Sequence, residues 1–145
     1  MKIELTKEQL ETLAKLVFLG NWLGNSWRNE DIIEEFDELE SLVLAAAAKN
    51  GLEDYVEVDE AGRSVPSQEL EEKMMEAVDF YNDNTFWDQL IYRMADRDYV
   101  RKHGDDALGE LSTEEGMEKE RPLVEKYEKE FNEHGLDRLE VRRDN

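Results

Sequence analysis

The sequence predicts a mainly α fold: a bundle of four to five helices around a central, buried first helix, with a small β element. Three observations predict it. Apolar residues recur at helical spacing over most of the chain. Gly (8) and Pro (2) are too scarce for an all-β fold full of tight turns. Helix-capping residues stand where the apolar runs begin. At 145 residues the chain is expected to form one domain, 1–145.

Ile3 and Leu5 alternate with Lys2 and Glu4, the pattern of a short half-buried strand over 2–5. Thr6 then stands as an N-cap, and Gln9 three residues on completes a capping box, so a helix is predicted over 7–27. Its apolar residues, from Leu10 to Leu23, surround the helix, as in a buried central element. Gly20 and Gly24 share a face and predict a close approach by another element, since each costs about 1 kcal/mol relative to Ala.

Asn29 is read as the cap of a second helix over 30–50, with Ile32, Phe36, Leu39, Val43 and Ala46 as its inner stripe and Gly51 just past its end. Short β-rich runs on either side of Asp59-Glu60-Ala61-Gly62 read as a hairpin within 55–65. Ser67 caps a third helix over 67–83, which Asn82-Asp83-Asn84 should break. Thr85 then caps a fourth over 86–102, ended by Gly104. A short turn of helix is expected over 105–111. Ser112 with Glu115 forms another capping box, opening a last helical region that Pro122 should kink or divide and Gly135 should end. Leu139 and Val141 alternate as Ile3 and Leu5 do, so terminal strands 2–5 and 137–141 are expected to pair.

The charge is lopsided. There are 18 basic and 38 acidic residues, a net of −20. Residues 1–28 carry a net +1, residues 29–88 a net −16 and residues 89–145 a net −5. Such a surplus repels phosphate backbones and anionic membrane surfaces, so neither nucleic acid nor a membrane is an expected direct partner. It favours a basic protein or a cation. With no Cys, disulfides, thiol catalysis and Cys-ligated metals are excluded, and two His exclude a three-histidine site within one chain. The longest apolar run, Leu16 to Leu19, is too short to span a bilayer. Together with the absence of a signal-peptide layout, this leads us to expect a cytoplasmic chain.

Three constellations are candidates for chemistry. Glu34-Glu35-Phe36-Asp37-Glu38 resembles the Glu-Glu-x-x-Glu pattern of the all-α nucleoside triphosphate pyrophosphohydrolases. Those enzymes add Glu-x-x-Asp from a second helix, and Glu76-Ala77-Val78-Asp79 matches those letters, although the gap between the halves is longer than in that family. The resemblance implies Mg²⁺ held by Glu35, Glu38, Glu76 and Asp79, chemistry consistent with the preference of hard cations for oxygen. In so acidic a chain a solvated face is the simpler reading, so no catalytic, metal or cofactor residue is assigned outright. His103 and His134 each end a helix, where an imidazole suits the dipole, and no nucleophile accompanies them. Among the aromatic residues, Trp27 beside Arg28, Tyr92 and Tyr99 are the expected exposed anchors. Arg93, Arg97, Arg101 and Lys102 are expected to pair locally, as Asp98 with Lys102.

Thr85-Phe86-Trp87-Asp88-Gln89-Leu90-Ile91-Tyr92-Arg93-Met94-Ala95-Asp96-Arg97-Asp98, with Leu16-Val17-Phe18-Leu19-Gly20-Asn21-Trp22 and Gly135-Leu136-Asp137-Arg138-Leu139-Glu140-Val141, resembles a group of small acidic bacterial proteins of unknown function. The resemblance implies a bacterial, cytoplasmic, one-domain chain and no particular activity. The expected function is a non-enzymatic interaction or regulatory module that presents its acidic middle to a basic protein, in its sharper form as a nucleic-acid mimic. The alternative is the Mg²⁺-dependent pyrophosphohydrolase.

Overall fold

The computed structural model describes residues 2–104 and 113–140. In order, its elements are α1 (Lys7–Asn25), α2 (Glu34–Lys49), a 3-10 turn (Glu53–Tyr55), β1 (Val56–Val58), β2 (Ser64–Pro66), α3 (Gln68–His103) and α4 (Thr113–His134). The fold is mainly α with a small β hairpin, as the sequence predicts. The chain divides into two compact units, Met1–Phe80 and Tyr81–Asn145, each described by itself below.

In the first unit, α1 begins at the predicted box. Thr6 Oγ1 accepts the Gln9 N–H at 3.2 Å, and Gln9 Oε1 accepts the Thr6 N–H at 2.9 Å. The start of α2 differs from expectation: Asn29 does not cap it, and the helix begins at Glu34. Asn25 supplies the bracket instead. Its Oδ1 accepts the Ile33 N–H at 2.9 Å and its Nδ2 donates to the Ile33 carbonyl at 3.2 Å. The connecting loop bends through Asp31 at φ 57°, a left-handed conformation that Asp tolerates. At the other end Gly51 takes φ 81° and the Leu52 N–H closes on the Ala47 carbonyl at 3.1 Å, a Schellman stop.

The hairpin forms where predicted, antiparallel, with Val56 opposite Pro66 and Val58 opposite Ser64. Asp59 holds its turn: Oδ1 accepts the N–H groups of Ala61 (2.9 Å) and Arg63 (2.8 Å), and Oδ2 takes the Arg63 guanidinium at 2.9 Å. Ser67 caps α3 as expected, accepting the Leu70 N–H at 3.3 Å and donating to the Asp54 carbonyl at 2.6 Å.

The core of this unit joins Phe18 of α1, Leu44 and Ala47 of α2, and Leu52, Tyr55 and Leu70. The first helix is not buried all round. Ala14 and Phe18 are buried, but Leu16 and Leu23 are exposed, because the covering by α2 leaves another side open. The stripe expected on α2 holds only in part: Val43 is buried as expected, but Ile32, Phe36 and Leu39 are about half exposed, and Glu40, Leu44 and Ala47 take the inward positions beside Val43. Tyr55 ties three elements together. Its hydroxyl donates to Glu11 at 3.1 Å and accepts from Lys73 at 3.0 Å, while Lys73 also lies 4.7 Å from the ring centroid.

The third helix runs unbroken from Gln68 to His103, correcting the expected division at Asn82-Asp83-Asn84. Each of those residues costs at most about 0.7 kcal/mol in a helix, and no Gly or Pro lies within α3 to add a real barrier. In the second unit, Ala95, Tyr127 and Phe131 form the buried centre, flanked by Trp87, Leu90 and Leu123. Pro122 does not divide α4; it and Glu118, whose carbonyl loses its helical partner, are both exposed. Gly104 (φ 98°) and Gly135 (φ 55°) end their helices as predicted. The expected turn over 105–111 and the Ser112 end of the last capping box lie outside the described residues.

The terminal strands do not form. The one sheet among the described residues is the β1–β2 hairpin, and after α4 the chain turns, with Asp137 N–H bonded to the His134 carbonyl and Leu139 N–H to that of Leu136. Two alternating apolar residues at each end were too weak a signal, and Val141 lies outside the described residues.

Replacing Tyr55 by Phe should lower stability by about 1 kcal/mol, by removing the hydroxyl's bonds to Glu11 and Lys73, which keep their partners Lys15 and Glu69, read from the urea midpoint. Gly51→Ala should cost about 1 kcal/mol because its φ of 81° disfavours a side chain.

Candidate functional site

The acidic middle is built by α2, the hairpin and the start of α3. Positions 14, 18, 21 and 25 follow one face of α1, and 37, 40, 44 and 47 one face of α2. Where the two faces meet, the contact is apolar at one end, with Ala14, Phe18, Leu44 and Ala47, and polar at the other. Asn21 Nδ2 donates to Glu40 Oε2 at 2.8 Å and to Asp37 Oδ1 at 3.0 Å. Asn25 Nδ2 donates to Asn21 Oδ1 at 2.8 Å. Gly24 belongs to the same junction, since a Cβ there would lie 2.8 Å from the Phe36 ring, whereas nothing lies within 4 Å of Gly20. The expected close approach is therefore made at Gly24 alone.

Glu40 is 9% exposed, an unusual place for a carboxylate. Burial pushes its carboxyl above the usual range. The Asn21 amide opposes that shift, and the charges of Asp37 and Glu71 reinforce it. A narrow cleft of about 130 Å³ opens beside it, lined by Asp37, Ser41, Arg63 and Ser64. Arg63 is bound to Asp59 across the turn and so is already neutralised.

Glu35 and Glu38 of α2 and Glu76 and Asp79 of α3 are all exposed. Among the described residues no three His, Asp or Glu side chains are grouped to hold an ion. The helix turns that satisfy the letters of the pattern direct Asp37 and Glu40 to the helix contact and leave Glu35 and Glu38 in water. Of the nineteen acidic residues between 29 and 88, all but Asp37, Glu40 and Asp59 are exposed. Along α3, Glu69, Glu72, Glu76 and Asp79 recur every three or four residues as an exposed acidic row.

The second unit contains a different cluster. Asp98 accepts a short hydrogen bond from the Tyr127 hydroxyl, and pairs with Arg97 at 2.8 Å, Lys126 at 3.4 Å and Arg101 at 3.9 Å. Lys102, the expected partner, is not among these. Burial acts to raise the Asp98 carboxyl, but hydrogen bonds from Tyr127, Arg97 and Lys126 and the Arg97 charge outweigh it and hold it down at about 2. Every group of this knot is spoken for, so it staples α3 to α4. His103 lies against the Tyr99 ring with centroids 4.5 Å apart, and His134 is 3.6 Å from Glu133. Of the expected exposed anchors, Trp27 and Tyr92 are exposed while Tyr99 is buried.

Asn21 and Asn25 were not singled out in the sequence. Continuing the stripe of Ala14 and Phe18 by three and then four residues would have found them. No family model, curated protein or solved structure matches the chain. Among the described residues no helix is long and apolar enough to cross a membrane.

Glu40→Gln should raise the urea midpoint at neutral pH, because the folded state holds this proton more tightly than the unfolded chain. The cost of the charged form is full above the raised value and disappears as pH falls through it, so the advantage of the variant should vanish in acid. Asp98 has the opposite sign. Its stabilisation is complete above about pH 4, the unfolded value, and is lost as pH falls to about 2. Asp98→Asn should remove that segment of the acid-unfolding curve, followed by circular dichroism.

Proposed function

We propose that the protein is a non-enzymatic interaction module whose acidic middle docks a basic protein, occupying a surface that would otherwise bind a phosphate backbone. The observation that carries this reading is the exposed acidic row of α3, Glu69, Glu72, Glu76 and Asp79, together with the exposed Glu34, Glu35 and Glu38 of α2. Charges three or four residues apart on a helix are about 5 Å apart along its axis, close enough to act on one basic groove together. Only Glu69 of that row has a close lysine, Lys73 at 3.0 Å, so the surplus remains available to a partner. Residues 29–88 contain three basic residues against nineteen acidic ones, which leaves little internal neutralisation. An acidic surface also steers a basic partner to encounter quickly.

The test is displacement of fluorescent duplex DNA from a lysine-rich DNA-binding protein. The chain should compete for the protein, and raising salt from about 50 mM to about 200 mM should weaken the competition at least about tenfold. Neutralising the row with Glu72→Gln, Glu76→Gln and Asp79→Asn should weaken it further at fixed salt. Absence of competition, or competition insensitive both to salt and to these substitutions, would contradict the reading.

A further inference from the structure

The outer side of α1 carries a pattern that internal packing does not use. Gln9, Thr12, Leu16, Gly20 and Leu23 all lie within about 40° of Leu16 around the helix axis, and Leu5 and Trp27 flank the helix just beyond its two ends. The stripe has no charged residue in a chain of net −20. Leu16 is 60% exposed, Leu23 63% and Trp27 70%, and nothing lies within 4 Å of the position a Gly20 side chain would occupy. A helix-interior glycine is unfavourable unless something uses the space it leaves, and among the described residues no group does so.

The stripe is also symmetric. Reversing the chain about Leu16 exchanges Leu5 with Trp27, Gln9 with Leu23 and Thr12 with Gly20, and returns Leu16 to itself. Two copies of α1 packed antiparallel on a twofold axis at Leu16 would present those pairs to each other. Shape follows the same symmetry. At the N-terminal end of the stripe lies a mainly apolar cleft of about 520 Å³ among Ile3, Leu5, Leu13 and Leu16, edged by Glu8, Gln9 and Thr12, and at the C-terminal end stand the exposed Leu23 and Trp27. A twofold sets the projection of each copy at the cleft of the other, while Gly20 against Thr12 lets the backbones approach near the axis.

Charge agrees. The Arg28 guanidinium stacks 4.5 Å from Trp27 and is held by the carbonyls of Gly24 (2.8 Å) and Asp31 (3.1 Å). Among the described residues no carboxylate pairs with it. The antiparallel register carries it to the start of the other copy's α1, where Glu4 and Glu8 lie. Residues 1–28, at net +1, form the segment on which two such acidic chains can meet without like charges facing across the contact.

The geometry points to an isologous dimer of this chain, formed by α1 against α1 about Leu16. The chain should sediment at twice its mass of 17.0 kDa at micromolar concentration. Leu16→Asp, which places two carboxylates on the axis, should weaken association about a hundredfold or more while leaving the far-UV circular dichroism unchanged, since Leu16 is exposed. The chain has no native cysteine, so a single engineered thiol reports position directly. Leu16→Cys should oxidise readily to a covalent dimer, whereas Leu42→Cys, exposed on α2, should not. A monomer at high micromolar concentration would overturn the proposal. So would a dimer indifferent to Leu16→Asp, or equal crosslinking at both positions.

Discussion

The contact between α1 and α2 is the constraint on which the first unit depends. Its apolar half is made tight by alanines: Ala14 on one helix and Ala47 on the other are both fully buried. Its polar half is keyed by Asn21 and Asn25. An amide that donates to Asp37 and Glu40 while its neighbour brackets Ile33 accepts only one register of the two helices. A purely apolar seam specifies its register less strictly than one keyed by a buried polar group. Here a slip would strand the buried Glu40 carboxylate, a penalty of about 1–3 kcal/mol or more.

That register decides what the surface presents. By drawing Asp37 and Glu40 inward, α2 leaves Glu34, Glu35 and Glu38 in water and Leu39 about half exposed, while the Phe36 ring, itself part exposed, lies over Gly24. The hairpin and the Ser67 cap then set the direction in which α3 leaves, and with it the acidic row from Glu69 to Asp79. On the opposite account, α1 gives one side to this contact and leaves Leu16, Leu23 and Trp27 exposed. The acidic surface and the uncharged stripe are thus two outcomes of one helix pairing. The Asp98 knot does comparable work in the second unit, where ion pairs and the Tyr127 hydroxyl supplement a small apolar centre.

Much of the fold was legible where a local rule acts alone. The Thr6 and Ser67 caps, the Gly51, Gly104 and Gly135 stops and the hairpin around Asp59 depend on neighbours within a few residues, and each lies where its chemistry demands. The misreadings share a different origin. The orientation of α2 was judged from apolar letters, but hydrogen bonds to Asn21 outweighed the half-burial of Ile32 and Phe36. Asn82-Asp83-Asn84 was read as a break, although weak propensities do not stop a helix that has no proline or glycine to interrupt it. The expected strands at the termini rested on two apolar residues apiece. As for the site, the carboxylate spacings of Glu35, Glu38, Glu76 and Asp79 were legible as letters. Whether they converge depends on helix rotation, which those letters do not encode.

Native-state hydrogen exchange tests the primacy of the α1–α2 contact most directly. The slowest amides of the first unit should lie at residues 14–18 of α1 and 43–47 of α2, and Asn21→Ala should speed both segments together, because they open as one cooperative element. If α1 exchanged independently of α2, or if the substitution left both unchanged, the register would be held by something other than the Asn21 amide.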